Sequence, residues 1–133
     1  MSSTRRWPSY SELSAQIELL SAAVVGGHIQ KVRDPDPRSV ALKIRVPGQT
    51  LFLTLSGDPE RGRVEVSFDK PTTLPQPTGI GRWVRAHLTG KRIDALIIAP
   101  DDRIVTLVTP RGSLCLELLP HAPNLYTISE DGR

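Results

Sequence analysis

The sequence has 133 residues, of which 38% are apolar and 5% aromatic, and it carries a formal net charge of +3. This length suits one domain with an aliphatic core and is too short for two ordinary domains. No apolar run reaches the roughly 18 residues of a membrane helix, and the N-terminus lacks a signal-peptide core, so we expect a cytoplasmic protein. The basic charge favours polyanionic partners.

The chain is predicted to begin with a flexible basic arm over residues 1–8, followed by a helix. Ser9 and Glu12 have the spacing of a capping box, in which each side chain accepts a hydrogen bond from the other residue's backbone N–H. Apolar residues then recur at helical spacing from Leu13 to Val24, so one face of the helix should meet a core. Gly26-Gly27 is the expected end of the helix.

Four strands are predicted after this helix, because the apolar period changes to two residues. The strands begin near Ile29 and continue over residues 40–46, 51–55 and 64–68, with turns at residues 34–37 and at Pro47-Gly48. Residues 69–77 contain three prolines and are predicted to be a linker.

The same plan repeats beyond the linker. A helix is predicted over residues 78–88, closed by Gly90, and strands over residues 93–99, 104–108, 114–118 and 125–128. We therefore expect a single domain over residues 9–133, composed of half-repeats 9–68 and 78–128. Eight strands joined mostly by tight turns predict an α+β fold, a mostly antiparallel β-sandwich with two helices at its ends or edges.

The residues offer no complete catalytic or metal site. The sequence lacks a glycine-rich phosphate loop, a nucleophile elbow and a His/Cys cluster at metal-ligand spacing. His28, His87 and His121 fall on different elements, and the single cysteine, Cys115, has no intrachain disulfide partner. Asp101-Asp102 is more typical of a turn than of an acid/base pair. We predict no enzyme activity, cofactor, metal or small-molecule substrate.

The second helix and the residues after it contain a basic cluster. Arg82 and Arg85 lie off the apolar stripe and are expected to face solvent, and Lys91 and Arg92 follow the helix. Such a cluster suits RNA phosphates, and a solvated charged face is the alternative. Trp83 either packs in the core, which the apolar spacing around it favours, or stacks on a base.

Four runs of residues, taken in order, carry a resemblance to a known family. Residues 26–32 read GGHIQKV, residues 85–93 read RAHLTGKRI, residues 102–105 read DRIV, and Glu117-Leu118 is followed by Asn124-Leu125. Over residues 9–131 the series resembles the N-terminal domain of the NFACT family, which includes RqcH-type ribosome quality-control factors and fibronectin-binding-protein-A-like proteins. The helix-hairpin-helix, coiled-coil and C-terminal regions of long family members have no counterpart in this sequence, which implies a fragment or a reduced relative.

The resemblance implies a binding module for tRNA and the large ribosomal subunit, related to factors that add alanine tails to stalled chains. Within the family an Asp-Arg pair is associated with tRNA engagement, which places Asp102 and Arg103 at the predicted site. An aspartate beside an arginine can orient the guanidinium fork toward a phosphate or base edge. The predicted supporting phosphate contacts are Arg82, Arg85, Lys91 and Arg92.

The family's N-terminal domain also resembles that of formamidopyrimidine-DNA glycosylases, which implies a two-helix, eight-stranded sandwich. Those glycosylases use an N-terminal proline followed by glutamate, whereas this sequence starts Met1-Ser2, so the kinship concerns the fold. Two further hypotheses stay open. One is a protein-interaction sandwich, and the other is a catalytically inactive DNA-lesion binder.

Overall fold

Two helices, each followed by a four-stranded sheet, make up the residues that the computed structural model describes, which are 9–119 and 123–130. The predicted arm at residues 1–8 lies outside them. The first half contains α1 (Tyr10–Val24), β1 (His28–Arg33), β2 (Ser39–Val46), β3 (Gln49–Ser56) and β4 (Arg63–Ser67). The second half contains α2 (Gly79–Leu88), β5 (Ala95–Ile98), β6 (Ile104–Thr109), β7 (Gly112–Glu117) and β8 (Asn124–Ser129).

Both sheets are antiparallel meanders, with strand orders β1-β2-β3-β4 and β5-β6-β7-β8. One apolar cluster contains residues from both sheets and from both helices. The strand β2 contributes its alternating side chains Val40, Leu42, Ile44 and Val46. A shared core of this kind is how two sheets bury their apolar faces. The predicted α+β fold is confirmed.

The helix ends follow the local chemistry of the sequence. Ser9 Oγ accepts a hydrogen bond from Glu12 N–H at 3.1 Å, and Glu12 Oε1 accepts one from Ser9 N–H at 3.0 Å, so the capping box is confirmed. Thr78 caps α2 by accepting from Gly81 N–H at 2.9 Å. Gly26 and Gly90 follow the two helices with φ values of 88° and 82°, which glycine adopts without strain.

The residues just after the two helices cross each other and hydrogen-bond in two equivalent pairs. Gly26 N–H donates to Ile93 O at 2.8 Å, and Gly90 N–H donates to Ile29 O at 2.6 Å. Ile93 N–H donates to Gly27 O at 2.8 Å, and Ile29 N–H donates to Lys91 O at 3.0 Å. We call residues 26–29 and 90–93 the crossing segments.

The crossing segments explain two features of the fold. The strand predicted over residues 93–99 begins at Ala95, because Ile93 bonds to the first half instead of to β6. The helices also exchange partners, since α1 packs mainly on β5 and α2 packs on β1. Each half therefore covers the edge of the other half's sheet.

Replacing Ile93 with alanine should destabilise the protein, because its side chain is fully buried at the crossing. We expect Ile93→Ala to lower the free energy of unfolding by about 2–5 kcal/mol, measured by urea denaturation. Ile97→Ala is the matched control, since Ile97 is 53% exposed, and it should cost less than about 1 kcal/mol. Equal losses in the two variants would contradict the central place of Ile93 in the core.

Candidate nucleic-acid interface

Asp102 and Arg103 lie in the turn between β5 and β6, and the backbone of this turn is well anchored. Asp101 takes a left-handed conformation with φ 60°, which aspartate tolerates better than most residues. Asp102 N–H donates to Ala99 O at 3.2 Å, and Arg103 O accepts from Leu118 N–H at 2.7 Å. Asp102 is exposed and Arg103 half-buried. Asp101 and Asp102 thus sit in a turn, as expected.

The loop between β3 and β4 reaches the same end of the sandwich. A Cβ atom on Gly62 would lie 3.1 Å from Leu118 Cδ2, and Leu118 is the residue that bonds Arg103. Arg61 and Arg63 flank this glycine and both contact Glu65, at 3.7 and 2.5 Å. The sequence reasoning missed these arginines, because only the fold brings this loop to the predicted turn.

The basic cluster predicted on α2 does not assemble around Asp102 and Arg103. Lys91 precedes β5 and lines a cavity with Arg111, which lies in the turn between β6 and β7. Arg103 and Arg111 are therefore at opposite ends of β6, a separation of about 20 Å for a strand of this length. Arg82 and Arg92 are exposed, and Arg92 pairs with Asp94 at 3.0 Å.

Arg85 is turned inward, contrary to the expectation that it faces solvent. Its Nη2 lies 2.8 Å from Asp34 Oδ2 and donates to Val32 O at 3.0 Å. The contact with Asp34 is an ion pair outside hydrogen-bond geometry, and Arg85 Nη1 is buried with no hydrogen-bond partner among the described residues. Helical periodicity located Arg85 off the apolar stripe correctly, but it carries no information about a buried carboxylate in the other half.

Asp34 is the fully buried centre of this contact, which we call the Asp34 cluster (Asp34, Thr78, Gly81 and Arg85). Thr78 Oγ1 donates to Asp34 Oδ1 at 3.1 Å, and Asp34 N–H donates to Thr73 Oγ1 at 3.1 Å. A Cβ atom at Gly81 would overlap the Asp34 carboxylate, so α2 can approach this closely because residue 81 has no side chain. The cluster joins the end of β1 to the first turns of α2.

Trp83 packs partly against the core, the interpretation that its spacing favoured. Its indole lies over Gly112 of β7, where a Cβ atom would be 2.7 Å from Cη2. The His87 ring stacks on the indole with a centroid separation of 4.4 Å and an angle of 18°. His87 Nδ1 is 2.8 Å from Trp83 O, and since a carbonyl oxygen only accepts, Nδ1 carries the proton in this contact.

Cys115 is a buried thiol on β7, opposite Tyr126 of β8. Burial raises the pKa of the Cys115 thiol, against a smaller lowering by the contact from Thr106 Oγ1 at 3.8 Å. Burial also raises the pKa of Tyr126, whose hydroxyl donates to Glu117 at 3.4 Å. A protonated, inaccessible thiol is a poor nucleophile or metal ligand.

Residues 9–119 and 123–130 contain neither a metal-binding cluster nor a membrane-spanning helix. Among these residues, no group of three or more His, Cys, Asp or Glu side chains is arranged to hold a metal ion. In the same part of the chain, no helix has the length and apolar character needed to cross a membrane.

Removing Arg85 should destabilise the fold, because the Asp34 carboxylate would remain buried without its cation. We expect Arg85→Ala to lower the free energy of unfolding by about 2–4 kcal/mol in urea denaturation, less than for a wholly buried pair because Arg85 is half-exposed. Adding Asp34→Asn should restore part of that loss. Arg82→Ala, an exposed change on the same helix, should stay within about 0.5 kcal/mol. Equal effects of Arg85→Ala and Arg82→Ala would be incompatible with a structural Arg85.

Stability should fall at alkaline pH. The pKa values of Cys115 and Tyr126 are raised in the folded state, so the folded protein holds these protons more tightly than the unfolded chain. Their contribution is complete below the ordinary thiol pKa and is lost as pH rises through the higher folded values. Unfolding free energy measured against pH should decline more gently in Cys115→Ala. An unchanged pH dependence in that variant would show that the thiol does not contribute.

Known proteins resemble this chain in sequence and in fold. The profile of a family described as NFACT N-terminal and middle domains matches residues 10–117. The protein named Rqc2 homolog RqcH from Streptococcus pneumoniae is 32% identical over 126 residues, which cover 86% of this chain and 22% of that protein. The Bacillus subtilis protein of the same name is 29% identical over 86 residues, which cover 65% of this chain and 15% of its own length.

Solved structures share the architecture. The N-terminal domain of the fibronectin-binding protein PavA from Streptococcus pneumoniae superposes with a TM-score of 0.82 and 25% identity, covering 89% of this chain and 48% of that one. The N-terminal part of a fibronectin/fibrinogen-binding protein from Streptococcus suis gives a TM-score of 0.76 at 23% identity, covering 88% and 46%. In each comparison this chain corresponds to less than half of the relative.

Proposed function

The chain belongs to the NFACT family, as its motifs predicted, and from this membership we propose that it is an RNA-binding module of the ribosome quality-control type. In this proposal it acts in the cytoplasm, contacts tRNA on the large ribosomal subunit and has no catalytic role. The observation that carries the proposal is the anchored, solvent-facing turn at Asp102-Arg103.

The turn has the chemistry of an RNA contact. A guanidinium group donates several hydrogen bonds in one plane, which matches phosphate oxygens and base edges. The backbone of the pair is fixed by bonds to Ala99 and Leu118, so little freedom remains to be lost when RNA binds. Arg61 in the neighbouring loop and Arg63 at the start of β4 lie at the same end of the sandwich, and with their shared partner Glu65 they leave one net positive charge there.

The environments of the potentially reactive side chains also favour a binding role over a catalytic one. The Cys115 thiol is buried and its pKa is raised, which opposes nucleophilic chemistry. His87 is engaged in a ring stack on Trp83, and the buried carboxylate of Asp34 is paired with Arg85. These groups support structure and surface contacts better than they support a reaction.

Replacing Arg103 should weaken tRNA binding. We expect Arg103→Ala to lose about 1–3 kcal/mol of binding free energy, or roughly tenfold to a hundredfold in affinity, in a filter-binding or anisotropy titration at low salt. Arg45→Ala is the charge-matched control, because Arg45 is exposed on β2 and hydrogen-bonded to Thr50 at 3.2 Å. Wild-type affinity itself should fall as salt rises, since neutralised phosphates release counterions.

Three results would count against this function. They are an absence of tRNA and large-subunit binding at low salt, equal losses in Arg103→Ala and Arg45→Ala, and a preference for abasic duplex DNA over tRNA. The last would favour the inactive lesion binder. Binding to fibronectin, the activity for which the relative PavA is named, would favour the protein-interaction hypothesis if it survived nuclease treatment and tRNA binding did not occur.

A further inference from the structure

A second basic surface lies at the end of the sandwich opposite Asp102 and Arg103. It is a cavity of about 380 Å³ lined by Ala86, His87, Lys91, Arg111, Ser129 and Glu130. The groups that could contact an anion come from different elements: the cations are Lys91 from a crossing segment and Arg111 from the turn between β6 and β7, and the imidazole is His87 from the last turn of α2. We call this cavity the basic pocket.

The walls of the basic pocket are held in place by the fold. Lys91 N–H donates to Leu88 O at 3.1 Å and Lys91 O accepts from Ile29 N–H at 3.0 Å, so the backbone of this lysine is fixed on both sides. Arg111 N–H donates to Thr109 Oγ1 at 3.2 Å, and the same hydroxyl donates to Gly112 O at 2.8 Å. The two cations therefore extend from rigid positions, which favours a specific contact.

The His87 wall is oriented by Trp83. The indole lies against Gly112, and the imidazole stacks on the indole with its Nδ1–H directed to Trp83 O. That bond leaves Nε2 as the ring nitrogen for other contacts. An oriented aromatic ring beside two cations suits a nucleotide, which presents a phosphate and a base together.

Two sources of negative charge lie near the basic pocket, and both oppose the binding of an anion only weakly. Arg111 Nη1 pairs with Glu130 Oε1 at 3.3 Å, but the side chains are 57% and 54% exposed, and such surface pairs contribute little. The C-terminal end of α2 also brings a partial negative charge, which the adjacent Lys91 offsets. A backbone phosphate presents two oxygens that share one negative charge, and it can accept bidentate hydrogen bonds from Arg111 in place of the carboxylate.

We propose that the basic pocket binds a backbone phosphate of RNA, with Lys91 and Arg111 as its cationic ligands and His87 as a stacking group. This inference rests on the proposed function and adds a second point of contact to it. The pocket and the Asp102-Arg103 turn are about 20 Å apart, a spacing that one folded RNA can bridge and a single mononucleotide cannot. The chain then holds one RNA along the length of the sandwich.

The test uses Lys91→Ala and Arg111→Ala in the intact chain, with tRNA as the probe. Each substitution should weaken binding about threefold to tenfold at low salt and reduce the slope of log affinity against log salt by about 0.7 to 1. Combined with Arg103→Ala, their effects should add, because the two sites are far apart. Arg45→Ala is the matched control, and unfolding midpoints should confirm that every variant remains folded.

A second measurement separates the basic pocket from tRNA binding as a whole. Titration with inorganic pyrophosphate, followed by amide NMR, should shift the signals of Lys91, Arg111 and Gly112 in the wild-type chain and in Arg103→Ala. If these signals do not shift, the proposed phosphate site in the basic pocket is wrong. Suppose that tRNA binds and that Arg103→Ala weakens its binding, whereas Lys91→Ala and Arg111→Ala behave like Arg45→Ala. The phosphate site in the basic pocket is then wrong, and the proposed function stands. If tRNA does not bind at all, both are wrong.

Discussion

Four backbone hydrogen bonds between residues 26–29 and 90–93 join the two halves of the molecule, and the contact of each helix with the other half's sheet depends on the crossing that they fix. They fix the point at which each chain segment leaves its helix and enters its sheet. Because the segments cross there, α1 covers the edge of the second sheet and α2 covers the edge of the first. One core thus forms from both sheets, since each helix packs against strands of both halves.

The contact of α1 with β5 and the contact of α2 with β1 are equivalent in the two half-repeats, but different side chains form them. On the first side, α1 packs on β5, and Ile17 and Ser21 line a cavity together with Ile98 at the end of β5. In the other half-repeat, Gly81, Arg85 and Asp34 occupy the positions equivalent to Ile17, Ser21 and Ile98. One helix therefore makes an apolar contact and the other makes the Asp34 cluster. A buried ion pair adds little net stability, but a carboxylate that fits only against a glycine and an arginine distinguishes one helix from the other.

Local features of the fold were predictable from the sequence, whereas contacts across the two halves were not. The capping box, the glycine stops and the strand alternation depend on neighbouring residues, and they located both helices and all eight strands that the structure describes. The path of residues 90–93 and the pairing of Arg85 with Asp34 depend on the crossing, which periodicity does not encode. For the candidate site, the motif located the Asp102-Arg103 turn, but Arg61 and Arg111 acquire their neighbours through strand order alone.

The exchange of helices between the halves also governs the order in which the fold can form during synthesis. The strand that α1 covers, β5, is made only after the proline-containing segment and α2 have been translated. Until then α1 has β4 of its own half but lacks its main packing partner, and such contacts between distant residues raise the contact order of the fold. A nascent chain that stops before Ile98 would therefore leave most of the packing face of its longest helix uncovered, since α1 makes its main contacts with β5.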